Sequence, residues 1–207
     1  MLNIVVLVSG GGTNLQALID AQNSSSIKNG KIIRVISDKD GAYALTRAEN
    51  AGIVTSVVAR KSFSSIAQHN KAILKELVDC EADLIVLAGY LSILDKEVTD
   101  TFKNKIINVH PSLIPAFCGD GFYGLRVHKA ALDKGVKVTG ATVHFVNEIT
   151  DGGAIILQKT VEIQNGDTPE VLQKRVMEQA EWEILPKAVS LFCEGRIKVI
   201  DNTTQID

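Results

Sequence analysis

An amide and an imidazole two residues apart, Asn108 and His110, close the short β-branched run Ile106–Val109 and lead straight into Pro111 and Ser112. Side chains two apart on a strand leave from one face, so both groups would point together. That pairing suits a reaction in which oxygen develops negative charge: the amide donates to the oxyanion and the imidazole moves a proton. The same residues could equally be a hydrogen-bonded turn at a strand end. Asp151 opens Asp-Gly-Gly at the end of the polar stretch Asn147–Gly153. A carboxylate beside His110 would orient the ring, raise its pKa and hold it charged. Asp-Gly is also an ordinary hairpin turn, and nothing in the spacing brings Asp151 to His110. His69, His128 and His144 have no comparable partner and read as structural. Ser112 and Cys118 carry nucleophilic atoms but lie in no G-x-S-x-G elbow or cysteine signature.

A second constellation is Ser9-Gly10-Gly11-Gly12-Thr13-Asn14, between a first strand and a first helix. Glycines admit close approach and positive φ, and N–H groups at a helix start make an anion site. Thr13 and Asn14 add a hydroxyl and an amide. A plain tight turn is the alternative, although three consecutive glycines exceed what such a turn needs. A P-loop needs Lys-Ser/Thr after its last glycine, where this chain has Thr-Asn. The dinucleotide pattern G-x-G-x-x-G is incomplete, because Leu15 stands where its third glycine belongs. Asp38 ends the second strand region, where a ribose-binding acid would sit, and reads instead as a turn residue of SDKDG. The loop therefore suits a sugar phosphate better than ATP or NAD.

These groups need strands to carry them. Apolar runs Asn3–Val8, Ile32–Ser37, Ile53–Val58, Asp83–Ala88 and Ile106–Val109 read as strands buried on both faces. They alternate with helices over roughly Asn14–Gln22, Ala42–Asn50, Ser64–Cys80 and Asp95–Phe102, with Ser62 and Asp95 as N-caps. Strand–helix alternation predicts an α/β, Rossmann-like, doubly wound, mostly parallel sheet. After His110 the pattern changes. A Pro/Gly-dense loop over 111–123 precedes a short helix, Gly124–Asp133, and two alternating runs, Lys137–Val146 and Ala154–Ile163, that predict an antiparallel or mixed C-terminal extension. Pro169–Cys193 predicts a closing helix broken or kinked at Pro186, and Arg196–Ile200 one last strand. Without repeats, low-complexity tracts or a linker, residues 1–207 read as one domain. Its halves are 1–110, which binds phosphate, and 111–207, which completes the site.

Composition narrows the class. The chain has 207 residues, 45% hydrophobic and 22% charged, with net charge −2. That is globular composition, with no basic excess to attract nucleic acid or membrane. The first residues lack a basic n-region and a cleavage site, and their apolar run is far short of a membrane span. Cys80, Cys118 and Cys193 form neither a disulfide framework nor a zinc pattern. The expectation is a cytoplasmic protein with no metal.

On the segments Val8–Ala17, Ala88–Leu94, Asn108–Pro115 and Gly140–Val146 leading into Asp151–Gly153, the chain resembles the folate-dependent phosphoribosylglycinamide formyltransferases of purine synthesis. The likeness runs from the first strand to the final helix. It implies a formyltransferase fold and transfer of the formyl group of 10-formyltetrahydrofolate, as co-substrate, to the amine of 5-phosphoribosylglycinamide. By the same resemblance, Gly12, Thr13 and Asn14 hold the substrate phosphate. Leu91, Ser92, Ile93, Leu94, Asn108 and Val146, with the loop to Asp151, line the folate site. Asn108, His110 and Asp151 are the catalytic trio, and the partners are the two small-molecule substrates. The chain departs from the pattern at Ile66 (often arginine), at Ser92 (often basic) and at Glu178–Trp182, where a Glu-His pair near the ribose is common. The loop 116–127 is longer than in some members. A methionyl-tRNA formyltransferase would need a further C-terminal domain and a basic surface. A formyltetrahydrofolate hydrolase would share the trio but add an N-terminal regulatory domain, whereas this chain starts at its first strand. A non-catalytic sugar-phosphate binder would leave Asn108 and His110 idle.

Overall fold

The computed structural model describes residues 1–207. Strands β1 (Leu2–Val8), β2 (Gly30–Ser37), β3 (Val54–Val57), β4 (Leu84–Leu87) and β5 (Ile106–His110) are joined by helices α1 (Thr13–Asn23), α2 (Tyr43–Asn50), α3 (Ile66–Asp79) and α4 (Lys96–Thr101). Helix α5 (Leu125–Lys134) leads to β6 (Val138–Phe145) and β7 (Ile155–Glu162). One seven-stranded sheet runs in the order β3-β2-β1-β4-β5-β6-β7, parallel through β5 and antiparallel at β6 and β7. The expected parallel core and antiparallel extension are thus one continuous sheet.

Ile4 to Val8 are completely buried on both sides of β1. Alternate residues feed two cores. Ile4, Val6 and Val8 pack with α1, α2 and the C-terminal helices, while Val5 and Leu7 pack with α3 and α4. On β5 the alternation assigns Ile107 and Val109 to the first core and leaves Ile106, Asn108 and His110 on the other face.

Three local expectations change. Asp95 caps α4, its carboxylate accepting from Val98 N at 3.2 Å, but the cap of α3 is Ser65, which accepts from Gln68 N. Ser62 instead ends a 3₁₀ turn, Arg60–Ser62. The C-terminal helix is interrupted by a π turn at Met177–Glu181, between α6 (Pro169–Val176) and α7 (Trp182–Cys193), and α7 passes through Pro186 unbroken. The wide turn lies just upstream of the proline, the kind of distortion that relieves a helix of a mismatched hydrogen bond. Finally, the last strand is half of a hairpin, β8 (Ile197–Ile200) and β9 (Thr203–Ile206), turned at Asp201 and Asn202 with positive φ. Its second strand is polar, so hydropathy did not reveal it.

Candidate active site

Strand order reverses between β1 and β4, and ligands of open α/β sheets bind outside the carboxyl ends of strands at such a switch. The Ser9–Gly12 loop leaves β1 there and the segment Ala88–Leu94 leaves β4. Leu91 N donates to Ser9 Oγ at 2.8 Å, tying the two together.

The three glycines are not equivalent. Gly12 caps α1 with φ 73°, and a Cβ there would lie 2.6 Å from Ala44 Cβ of α2. Its identity is required by packing. A Cβ on Gly10 or Gly11 would meet nothing within 4 Å, so the fold makes no demand for glycine there. Open space beside unencumbered backbone is what a bound anion needs. Thr13 is partly exposed, its hydroxyl 3.7 Å from Met177 Sδ. Asn14 is buried, and its amide donates to Glu181 Oε2 at 2.7 Å, leaving Asn14 Oδ1 unpartnered. Burial pushes the Glu181 carboxyl up to about 7, partly offset by the Asn14 hydrogen bond. Sequence reading missed Glu181. Its only signal was an acid on the apolar face of the last helix.

Asn108, His110 and Asp151 do converge, through a fourth residue read from sequence as merely structural. His144 lies opposite Asn108 in the β5–β6 ladder, and Asn108 Nδ2 is 3.2 Å from His144 Nε2. His144 Nδ1 lies 2.7 Å from the Phe145 carbonyl, which can only accept. In its neutral form His144 therefore carries its proton on Nδ1 and accepts from Asn108 through Nε2. Asp151 closes the group. Its Oδ2 lies 3.5 Å from His110 Nδ1 and its Oδ1 lies 3.6 Å from His144 Nε2. Asp151 sits at φ 54° in the β6–β7 connection, where Gly119 N donates to Oδ2 at 2.8 Å. The glycine at 153 is obligatory, since a Cβ would lie 1.9 Å from the Phe145 carbonyl oxygen.

Charge at His110 is contested. The charge of Asp151, 3.5 Å from Nδ1, and the Phe117 carbonyl, which accepts from Nε2 at 2.9 Å, both favour the imidazolium. Burial opposes them and prevails, setting the His110 pKa below its ordinary value. Asp151 raises the pKa as expected, but the net shift is downward and favours the neutral ring. Asp151 goes the other way. Its burial, which raises the pKa, is outweighed by the neighbouring His144 and His110 rings and the hydrogen bond from Gly119, so its pKa is lowered and it stays ionised.

Among the residues expected at the folate, Leu91 and Ile93 are 52% and 63% exposed, large apolar side chains held out to solvent. Leu94 is buried in the core and can offer only backbone groups. Ser92 Oγ donates to Asp38 Oδ2 at 2.5 Å, so the buried Asp38, in the bend after β2 as expected, also anchors this segment. Asn70 of α3 adds two hydrogen bonds, to the Ile93 carbonyl and from Asp95 N. Val146 is partly buried, its N–H donating to the Ile106 carbonyl, and the loop beyond it approaches the segment through a Lys96–Glu148 ion pair of 3.0 Å. Ile66, at the start of α3, is 52% exposed and offers no charge. Ser112 is fully buried with its hydroxyl bonded to the Ala116 carbonyl, and Cys118 Sγ faces the Pro115 carbonyl. Neither is poised as a nucleophile.

A groove of about 870 Å³ between α1 and α7 begins at Thr13 and Arg47 but touches none of the four polar residues. No three His, Cys, Asp or Glu side chains are arranged to hold a metal ion, and no helix is long and apolar enough to cross a membrane.

The formyl transferase family profile matches residues 2–189. The chain is 45% identical over 207 residues to phosphoribosylglycinamide formyltransferase of Haemophilus influenzae, covering all of this chain and 94% of that one. It superposes on glycinamide ribonucleotide transformylase 1 of Symbiobacterium toebii with TM-score 0.93 and 40% identity, covering 100% and 94% of the two chains. A formyltetrahydrofolate deformylase from Pseudomonas syringae pv. tomato is also similar in fold, with TM-score 0.87. Its identity is 26%, and 65% of its length is covered against 99% of this chain.

Proposed function

Because the chain belongs to the formyl transferase family, and within it to the phosphoribosylglycinamide formyltransferases, we propose that residues 1–207 act as one domain. It transfers the formyl group of 10-formyltetrahydrofolate to the amine of 5-phosphoribosylglycinamide, through Asn108, His110 and Asp151. The observation that carries this reading is the placement of an ionised Asp151 against a neutral His110 on the strand face that also holds Asn108.

The residues fit the co-substrate. Exposed Leu91 and Ile93 offer apolar contact to a flat ring, and the backbone of 91–94 and Val146 offers polar groups at its edge. The phosphate of the other substrate lies on the N–H groups of Gly11 to Asn14. Asn14 contributes backbone only, because its side chain is held by Glu181.

As the amine attacks the formyl carbon, Asn108 donates to the oxygen. An Asn amide has two N–H groups, and His144 engages one of them. His110 takes the proton that the attacking amine loses, Asp151 stabilises the imidazolium, and His110 returns the proton to the departing nitrogen as the carbon–nitrogen bond breaks. In the structure the Phe117 carbonyl occupies His110 Nε2, so the 111–123 loop must shift for that nitrogen to meet substrate.

Wild-type protein incubated with 10-formyltetrahydrofolate should release tetrahydrofolate only when glycinamide ribonucleotide is present. Release without the amine substrate would make the chain a hydrolase, and no release a binding module. On this reading the partners are the two small-molecule substrates, and the three unpaired cysteines suit the reducing cytoplasm.

A further inference from the structure

Helix α2 approaches the glycine loop through its small residues. Ala44 and Ala48 are fully buried and Ala42 nearly so, which lets the helix start lie against Gly12. From there it takes both loop carbonyls. Ala44 N donates to the Gly10 carbonyl at 3.0 Å, and Arg47 Nε donates to the Gly11 carbonyl at 2.8 Å. In a trans peptide the C=O and the following N–H point in opposite directions. Pinning the Gly10 and Gly11 carbonyls toward α2 therefore turns the Gly11 and Gly12 N–H groups away from it.

Arg47 does more than hold a carbonyl. Its Nη1 donates to Gln16 Oε1 at 3.0 Å, and its guanidinium lies 5.0 Å over the Tyr43 ring. It pairs with no carboxylate, unlike Arg34 and Arg175. The guanidinium carries five N–H groups in a fixed fork, so those not spent on Gly11 and Gln16 remain available beside the loop. A cation held by neutral acceptors, half-buried at an anion loop, keeps its full charge for a guest.

We propose that Arg47 is a positioning and charge-selecting residue of the sugar-phosphate site. Its Nε sets the peptide orientation that aims the loop N–H groups, and its charge favours a phosphomonoester over a neutral sugar. The inference rests on the reading of the glycine loop as the seat of the substrate phosphate. Sequence gave no hint of it, since Arg47 lies one helix away from the loop it organises.

The test is discrimination between phosphorylated and unphosphorylated substrate. For wild type, Arg47→Ala and Arg47→Lys, kcat/KM is measured with glycinamide ribonucleotide and with its dephosphorylated riboside, together with the folate KM and the melting temperature. Arg47→Ala should lower the ratio of the two kcat/KM values at least tenfold, with the folate KM within twofold of wild type. A residue that merely supports the fold would lower both substrates together. Arg47→Lys retains the charge but not the fork, and should lower the ratio at least threefold. It decides the matter if the alanine variant is unstable. Ratios within twofold of wild type in a folded variant overturn the proposal. Ribose 5-phosphate titrated calorimetrically should show the same order of weakening, wild type over Lys over Ala. That measurement needs no formyl transfer, so failure of the wild-type enzyme to transfer would overturn the assigned reaction while leaving the role of Arg47 separately readable.

Discussion

Asn108 and His144 face each other across the antiparallel β5–β6 ladder, with Asn108 Nδ2 3.2 Å from His144 Nε2. The Phe145 carbonyl holds the proton of the neutral ring on Nδ1, so His144 fixes which way the Asn108 amide points. His144→Ala should leave Asn108 present but loosely aimed. We expect kcat to fall by about tenfold to a hundredfold with both KM values little changed, as steady-state kinetics will show. A wild-type kcat would mean that Asn108 needs no such support.

Removing the groups proposed to touch the reacting atoms should cost more. Asn108→Ala and His110→Ala should each lower kcat by about 10²–10³, the usual loss for one oxyanion donor, with the far-ultraviolet spectrum and melting temperature retained. Near-wild-type turnover in either variant would remove that residue from the mechanism.

The pH profile follows from the neutral resting state of His110. Activity requires the unprotonated ring, so kcat/KM should fall as pH drops through the His110 pKa, which burial holds below 6.5. Asp151 raises that pKa, so in Asp151→Asn the acid limb should move to still lower pH while the maximum rate falls. An acid limb that moved upward in this variant would contradict the placement of Asp151 beside His110.

Glu181 ties stability to pH in the opposite sense. Its folded pKa is raised from 4.5 to about 7. The folded state therefore binds the proton more tightly, and its contribution to stability is full below pH 4.5 and lost as pH rises toward 7. At about 1.4 kcal/mol per pKa unit the effect is a few kcal/mol at most. Glu181→Gln keeps an acceptor for Asn14 and should flatten this part of the stability profile, raising the melting temperature at pH 8 relative to wild type. An unchanged difference between pH 5 and pH 8 in thermal melts would refute it.

The glycine loop offers a separation of folding from binding. Gly12→Ala forces a Cβ against Ala44 at positive φ, which should destabilise the protein by about 1–3 kcal/mol. Gly10→Ala and Gly11→Ala place a methyl where no protein atom lies within 4 Å. They should melt as wild type yet raise the sugar-phosphate KM several-fold. Equal melting and equal KM in all three variants would mean that the open space holds no ligand.

Much of this was legible in the chain itself. Continuous Val and Ile runs separated by amphipathic stretches specify a parallel sheet covered on both faces, and period-two alternation on Ile106–His110 puts Asn108 and His110 on one face. Three glycines between strand and helix are the signal on which the proposed anion loop rests. These are local signals, carried by residues close in sequence. What tertiary structure decided was pairing across distance. Register between β5 and β6 made His144 a partner of Asn108, and the loop between β6 and β7 brought Asp151 to His110. Packing of α2 set Arg47 on the glycine loop, and the last helix buried Glu181 against Asn14. Burial then reversed the expected sign of the His110 shift, because the desolvation of a ring depends on everything packed around it and not only on the carboxylate beside it.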